Sequence, residues 1–241
     1  MAEDILVRRA NGVIEITLNR PEEGNGATDA MAAQVTKLLA EADQPVVLKG
    51  AGKDFCIGRA QMGRSQPTGP IDPLERRDSS DVIFDCYGAF RKARMPVIGA
   101  IQGRALGFGA SIAALCDVTI AAESATFQVP EMLHNIMPTM VASALVDRVH
   151  RKALSWMIWS SEVIDARQAM AFGLVTQVVP DAQLDATVKK LTDRMLATPP
   201  VAVMAVKDFA KVAYDMPIAG AVDFARNLHA TVNSSPQIKR K

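Results

Sequence analysis

The sequence has 241 residues, enough to bury a large core in one domain or in two small ones. Hydrophobic residues make up 49% and charged residues 22%, a balance typical of a globular protein rather than a disordered or fibrous chain. The formal net charge of +1 gives no electrostatic reason to expect a nucleic acid or an anionic membrane as partner. We therefore expect a globular protein that binds neither.

Cysteine usage and the hydrophobic runs narrow the class of protein further. The three cysteines lack the spacing of a metal site and are too few for a disulfide framework. The opening residues, MAEDILVRRANG, contain no apolar core of signal-peptide length. No stretch approaches the roughly 18 uninterrupted apolar residues of a membrane helix. We therefore expect a cytoplasmic protein without a metal site.

Predicted strands and helices alternate in the first half of the chain. Val13–Leu18 alternates apolar and polar residues, which favours a half-buried strand. Thr28 offers an N-cap to a helix that runs to about Ala42. Further strands are predicted at Pro45–Lys49, Pro96–Ile101 and Val118–Ala121, with helices at 82–94 and 107–115. Strands separated by helices predict an α/β fold with parallel pairing and right-handed crossovers.

The pattern changes in two places. Arg64–Asp81 is rich in proline, glycine, serine and charge, and we predict a mobile loop there of the length that often serves as a lid. After Pro138 only Val175–Val179 is predicted as a strand, and helices are predicted at about 140–150, 152–159, 165–172, 182–197, 200–214 and 218–232. Residues 1–180 are therefore predicted to form the core. Residues 181–241 are predicted to form a helical region that covers the site, mediates assembly, or does both.

Two glycine-bearing turns follow predicted strands. Phe55–Gly58 follows the strand at Pro45–Lys49, and Ala105–Ser111 follows the strand at Pro96–Ile101 and opens a helix. Glycine lets a substrate approach the main chain, and a helix start adds unpaired N–H groups with partial positive charge. Two such N–H groups can hold a thioester oxygen and stabilise an enolate. The alternative is that these glycines only permit tight turns and close packing.

Ser111 lies in a near match to the GxSxG nucleophile elbow, at Gly109–Ala113. An elbow serine should lie on the turn directly after its strand, but Ser111 is predicted inside a helix, well beyond Ile101. A serine hydrolase would also need a histidine base, and His229 falls in the correct chain order. A serine hydrolase is therefore the weaker alternative.

Glu131 is the candidate acid/base. It follows a short extended run, Ala125–Val129, where a glutamate can simply begin a helix. Its neighbours Met132 and Leu133 are apolar, so its carboxyl can instead be partly desolvated. Desolvation raises a carboxyl pKa toward the range useful for proton transfer.

Eight short pieces, in order and at characteristic spacing, carry a family signal: Ile16–Pro21, Gly50–Gly58, Pro96–Gly103, Ala105–Ser111, Leu115–Val118, Ala125–Glu131, Ile164–Ala166 and Ala171–Val175. From about residue 5 to residue 232 the chain resembles the enoyl-CoA hydratase/isomerase (crotonase) superfamily. The resemblance implies a crotonase-like spiral of ββα units with a helical C-terminal region. It also implies assembly into homotrimers that often pair as hexamers.

The resemblance implies an enzyme that acts on an acyl-CoA thioester, with coenzyme A as part of the substrate and no metal or redox cofactor. By matching position, the oxyanion donors are the main-chain N–H groups of Ile57 and Phe108, and Glu131 is the acid/base. Gly58 and Gly107 are expected to contact the substrate. Phe108 stands where the family usually has glycine, so its bulk is expected to reshape the acyl pocket.

Several residues depart from the family pattern. Hydratases of the type family carry a second glutamate where this chain has Ser111, which is a poor base without a partner but can orient a water or a substrate hydroxyl. Ala60 replaces the usual aspartate. Arg59, beside it, is expected to be structural or, alternatively, to meet a phosphate or a substrate carboxylate. Arg20, Lys92 and the tail Lys239–Lys241 are candidates for contacts to the CoA phosphates.

The chemistry beyond enolate formation stays open at this point. Double-bond isomerases of the family need only one base, and hydroxycinnamoyl-CoA hydratase-lyases combine a serine at the Ser111 position with the later glutamate. Isomerisation and hydration (or hydratase-lyase) chemistry are therefore both compatible with Ser111 and Glu131. A third alternative is a non-catalytic relative that binds CoA esters, against which the retained Glu131 argues.

Overall fold

The computed structural model describes residues 3–60 and 72–238. The strands are β1 (Ile5–Ala10), β2 (Val13–Leu18), β3 (Val46–Gly50), β4 (Val97–Ile101), β5 (Arg104–Leu106), β6 (Val118–Ala122), β7 (Thr126–Gln128), β8 (Ile164–Asp165) and β9 (Gln177–Val179). The helices are α1 (Asp29–Ala40), α2 (Pro73–Asp78), α3 (Asp81–Lys92), α4 (Phe108–Leu115), α5 (Thr139–Leu145), α6 (Arg151–Ser160), α7 (Ala166–Phe172), α8 (Leu184–Leu196), α9 (Pro200–Val212) and α10 (Ile218–Asn233). Among these helices, none combines the length and apolarity needed to cross a membrane.

The main sheet has six strands in the order β1-β2-β3-β4-β6-β9. β1 is antiparallel to β2, and the remaining neighbours are parallel, as the alternation of strands and helices predicts. Side chains alternate across the sheet, so Ile14 and Ile16 join one core cluster and Val13 joins another. A second sheet of three short strands has the order β5-β7-β8.

Helices cover both faces of the main sheet. α1 and α3 pack together, and the buried side chains of both helices join the larger core cluster. Thr28 caps α1 as predicted, because its hydroxyl oxygen accepts the Met31 N–H at 3.1 Å. α8 contacts β4 and β6, and its residues Leu184 and Val188 belong to the smaller cluster.

β1 is missing from the sequence-based prediction, although the sequence marks it. A two-residue hairpin turn that matches strand twist needs positive φ at both positions, which Asn-Gly supplies best. Asn11 and Gly12 occupy this turn with φ of 53° and 77°. They join β1 to β2, whose residues pair from Ile5 with Leu18 to Ala10 with Val13. β5 and the two-residue β8 are also missing from the prediction.

Part of the predicted mobile loop at 64–81 is helical. α2 begins after Asp72, whose carboxylate accepts the N–H groups of Leu74 and Glu75, and a proline occupies its first turn. These are ordinary helix-start signals that the charge and serine content of the segment obscured. Residues 64–71 of the predicted loop and the basic tail at 239–241 lie outside the described residues.

The C-terminal helices α9 and α10 pack on each other, with the rings of Phe209 and Phe224 stacked at 5.9 Å. α9 is tied to the core by Lys207, whose side chain is only 4% exposed. Its ammonium donates to Asp117 Oδ2 at 2.5 Å and to the Phe90 carbonyl at 3.3 Å. An internal ion pair therefore fixes this helix to the core.

Candidate active site

Backbone contacts join the turn at Phe55–Gly58 to the start of α4. The Cys56 N–H donates to the Arg104 carbonyl at 3.0 Å, and the Cys56 carbonyl accepts the Leu106 N–H at 2.9 Å. Gly109 lets α4 pass against this turn, because a Cβ there would overlap the Cys56 carbonyl oxygen. The two glycine-bearing turns that the sequence singles out therefore lie side by side.

Phe108 is the first residue of α4 and follows Gly107, whose φ is 50°. The Ser111 N–H, three residues later, makes the first intrahelical bond, to the Gly107 carbonyl at 3.0 Å. Within the described chain, no acceptor bonds to the Phe108 N–H, as expected for the first turn of a helix. Phe108 stays a predicted oxyanion donor, and no described residue competes for its N–H.

Ile57 is a correction to the predicted site. Its N–H donates to the Gly24 carbonyl at 3.0 Å. An N–H that is paired within the protein cannot also point at a substrate, so this bond contradicts the prediction that Ile57 is the second oxyanion donor. The partner lies in a turn much earlier in the chain, which motif spacing cannot show.

Arg59 offers an alternative N–H on the same turn. Ala27 bonds to the groups on either side of it: its N–H donates to the Gly58 carbonyl and its carbonyl accepts the Ala60 N–H, both at 2.8 Å. In this pairing the central residue turns its own N–H to the opposite side. Across residues 3–60 and 72–238, the Arg59 N–H has no hydrogen-bond acceptor. The unpaired Arg59 N–H therefore faces away from Ala27.

The Glu131 carboxyl lies against the start of α4. Its Oε1 is 2.7 Å from the position that a Cβ on Gly107 would occupy. Its Oε2 is buried and has no hydrogen-bond partner among the described residues. Burial raises the pKa of Glu131, and a backbone hydrogen bond and the charge of His134 oppose this rise. Such a carboxyl is suited to accepting a proton and returning it.

Ser111 is fully buried, and its hydroxyl donates to the Gly107 carbonyl at 3.0 Å. Because its proton is committed to its own helix, Ser111 is not poised as a nucleophile. His229 is exposed on α10 and contacts Asn233 instead. The geometry therefore contradicts the serine-hydrolase alternative. A role for Ser111 in orienting a water or substrate hydroxyl stays a prediction.

The two candidate arginines are both ion-paired. Arg20 has a side chain only 8% exposed and pairs with Glu23 at 2.5 Å and Asp4 at 3.7 Å. These contacts contradict the prediction that its guanidinium is available to a CoA phosphate. Arg59 pairs with Asp29, the first residue of α1, at 2.5 Å. This pairing agrees with the structural role expected for the Arg59 side chain.

Tyr87, on α3, is absent from the predicted site. It is 2% exposed, and its ring stacks on Phe108 with centroids 5.7 Å apart and planes at 24°. Phe108 therefore turns its bulk toward α3. Burial raises the pKa of Tyr87, and a side-chain hydrogen bond with Ser111 opposes this rise. The sequence shows only that Tyr87 lies on a predicted helix, because which helix it faces depends on tertiary packing.

A comparison with known protein families decides what this architecture belongs to. The model of the family described as enoyl-CoA hydratase/isomerase matches residues 8–241, nearly the whole chain. The chain belongs to the enoyl-CoA hydratase/isomerase family. The family resemblance inferred from the eight short sequence pieces is thereby confirmed.

Two relatives show that the enoyl-CoA hydratase/isomerase family spans more than one reaction. (E)-benzylidenesuccinyl-CoA hydratase from Thauera aromatica is 28% identical over 237 residues, which cover 95% of this chain and 91% of the relative. 1,2-epoxyphenylacetyl-CoA isomerase from Escherichia coli (strain K12) is 34% identical over 208 residues, covering 83% and 78%. The two names share a CoA ester and differ in the reaction.

A solved structure supports the fold directly. The crystal structure of enoyl-CoA hydratase from Mycobacterium smegmatis matches with a TM-score of 0.89 and 28% identity, over 98% of this chain and 93% of that one. This likeness confirms the predicted crotonase-like fold for this member of the enoyl-CoA hydratase/isomerase family.

Proposed function

We propose that this chain catalyses proton transfer on an acyl-CoA thioester, with Glu131 as the acid/base. The observation that carries the proposal is the Glu131 carboxyl, which has one oxygen buried without a hydrogen-bond partner in residues 3–60 and 72–238 and the other beside Gly107. The residue after Gly107 is Phe108, whose N–H is unpaired among the described residues. The family and the CoA esters in its relatives' names support the substrate class.

The oxyanion hole in this proposal is formed by the main-chain N–H groups of Phe108 and Arg59. Removal of a proton from the acyl chain places negative charge on the thioester oxygen, and donors aimed at that oxygen stabilise it. The start of α4 adds a partial positive charge of its own. Loss of one such donor typically costs about 2.7–4 kcal/mol of transition-state stabilisation.

The reaction that fits best is movement of a double bond along the acyl chain. Glu131 would remove a proton from one carbon and return it to another, which requires a single base. Ser111 is a neutral group whose proton is held by the Gly107 carbonyl, so it supplies no second base. The isomerase among the relatives is named for an epoxide, so it supports isomerisation of a CoA ester in general and not this bond movement in particular.

Hydration is the second candidate, and a specific observation favours it. Ser111 lies on α4 and Tyr87 stacks on Phe108 of the same helix, so two neutral hydroxyl side chains lie on or against the helix start that the Glu131 carboxyl contacts. Such a pair can orient a water toward a double bond, with Glu131 as the base. A hydratase is also found among the relatives.

The test combines three substrates with one exchange reaction. The protein is incubated with 3-hexenoyl-CoA, crotonyl-CoA and feruloyl-CoA while thioester absorbance is followed, and deuterium uptake at the α carbon is measured in D₂O. Isomerisation predicts that 3-hexenoyl-CoA gains conjugated-thioester absorbance, whereas hydration predicts that crotonyl-CoA loses it.

The Glu131→Gln variant should abolish both turnover and exchange. Glu162→Gln, a change at an exposed glutamate, is the matched control and should retain both. Equal activity of wild type and Glu131→Gln would show that Glu131 is not the acid/base. Tight binding of CoA esters without turnover or exchange by the wild type would favour the non-catalytic alternative.

A further inference from the structure

Tyr87 packs on the first turn of α4. Phe108 is the first residue of that helix. The Tyr87 ring stacks on the Phe108 ring, with centroids 5.7 Å apart and planes at 24°. One side chain of α3 thus packs directly on the residue that carries the Phe108 N–H.

No side-chain hydrogen bond caps this turn, because the residue that caps α4 is Gly107. Gly107 is held only through its backbone: its N–H donates to the Gln128 carbonyl at 3.0 Å. The orientation of the Phe108 N–H therefore depends on what packs against the turn, and Tyr87 is the aromatic side chain that does so.

We propose that Tyr87 is a positioning residue: it fixes the first turn of α4 so that the Phe108 N–H and the Glu131 carboxyl face the same thioester. This inference rests on the proposed function. Tyr87 takes no proton itself, because burial raises its pKa and keeps the phenol neutral. A misplacement of about 1 Å in catalytic geometry can cost on the order of 100-fold in rate, so loosening this turn should appear in kcat.

The test compares Tyr87→Leu, which removes the ring stack, with Tyr87→Phe, which keeps it. We expect Tyr87→Leu to lower kcat by about 10- to 100-fold while KM for the CoA ester changes by less than about threefold. Tyr87→Phe should recover most of this loss. The readouts are 3-hexenoyl-CoA turnover and α-carbon deuterium exchange, each as a kcat and a KM.

Phe90→Leu is the matched control for a cavity. Phe90 is fully buried on the same helix, one turn after Tyr87, so this change should lower Tm comparably and leave kcat intact. The proposal is overturned if Tyr87→Leu keeps kcat within about twofold of wild type, or if Phe90→Leu loses as much kcat as Tyr87→Leu.

The two proposals can fail separately. A wild type that neither turns over nor exchanges any of the three CoA esters overturns both the proposed function and the role of Tyr87. Activity that depends on Glu131 but not on Tyr87 overturns only the positioning role. Activity that depends on Tyr87 but survives in Glu131→Gln overturns the assignment of the acid/base.

Discussion

Glu131 is expected to destabilise the fold at neutral pH. Burial raises its pKa, so the folded state binds the proton more tightly than the unfolded state does. The stability that the protonated Glu131 carboxyl contributes is present at low pH and is lost as pH rises through the pKa of Glu131 in the folded protein. Glu131→Gln should therefore have a higher Tm than wild type near pH 7, and the difference should shrink toward pH 4, below the usual glutamate pKa of about 4.3.

Thermal unfolding across this pH range checks the prediction. Glu162→Gln, at an exposed site, should show no comparable pH-dependent difference from wild type. A Glu131→Gln variant that is less stable than wild type near pH 7 would mean that the carboxylate is stabilised by contacts that outweigh its burial.

Gly107 should tolerate no side chain. Its φ of 50° is costly for other residues, by roughly 1–2 kcal/mol, and a Cβ there would lie 2.7 Å from Glu131 Oε1. Gly107→Ala is expected to displace the carboxyl and lower kcat by more than tenfold, since proton transfer depends on geometry.

Gly88→Ala provides the control for this substitution. Gly88 lies inside α3 with nothing within 4 Å of a built Cβ, so alanine should be neutral or stabilise the protein by about 0.5–1 kcal/mol. The measurements are kcat from steady-state kinetics and the free energy of unfolding from denaturation, for Gly107→Ala and for Gly88→Ala. Wild-type kcat in Gly107→Ala would show that Glu131 moves aside without loss.

At the residue scale, local motifs indicated part of the site and tertiary structure decided the rest. The glycine-rich helix start and the apolar-flanked Glu131 are local signals, whereas Phe108 was assigned as a donor through the family resemblance. Ile57 was assigned wrongly because its hydrogen-bond partner, Gly24, belongs to a distant turn. Tyr87 was missed because the crossing of α3 and α4 is set by packing of the whole core.

At the scale of elements, the attachment of α9 depends on the ion pair between Lys207 and Asp117. The Lys207 side chain is 4% exposed, burial lowers the pKa of its ammonium, and the charge of Asp117 opposes that shift. Removing one partner of a buried pair typically costs about 3–5 kcal/mol, because the other charge is left uncompensated. Asp117→Ala should therefore lower the free energy of unfolding by about that amount.

A double-variant comparison by chemical denaturation separates charge from packing. Asp117→Ala combined with Lys207→Met should recover much of the loss, since no charge is then buried alone. Asp193→Ala, which breaks the exposed Lys189–Asp193 pair on α8, should cost less than about 1 kcal/mol. If Asp117→Ala also lowers the free energy of unfolding by less than about 1 kcal/mol, the buried pair does not have the proposed role.

Strands and helices could be predicted from the sequence where a local pattern, such as an apolar run or a turn signal, determines them. The parallel strands are apolar runs between helical segments, so their type and pairing could be predicted. β1 could also have been found, because Asn11-Gly12 is a hairpin signal. The two-residue β8 could not, since it exists only through its pairing with β7.

At the scale of the molecule, the family resemblance leads us to propose a homotrimer. Large apolar side chains on α9 and α10 and between them are exposed: Val206 by 71%, Tyr214 by 92% and Ile218 by 82%. Exposed apolar clusters of this kind mark interaction surfaces. Light scattering on the purified protein should give three or six times the 25.9 kDa chain mass.

A charge placed on this surface should weaken assembly. Ile218→Lys is expected to shift the mass toward the single chain, whereas Asn227→Lys, an exposed polar position on the same helix, serves as a control that should matter less. A wild-type mass of 25.9 kDa at micromolar concentration would exclude the trimer.

The turn formed by Cys56, Ile57 and Gly58 is hydrogen-bonded to three separate parts of the chain. This bears on the entropy of substrate binding. Fixing the backbone of one residue costs roughly 1–2 kcal/mol of conformational entropy. Because Arg104, Gly24 and Ala27 already hold this turn, that loss occurs during folding and not on binding. In calorimetry of CoA-ester binding, ordering of residues 56–58 should therefore contribute no entropic penalty.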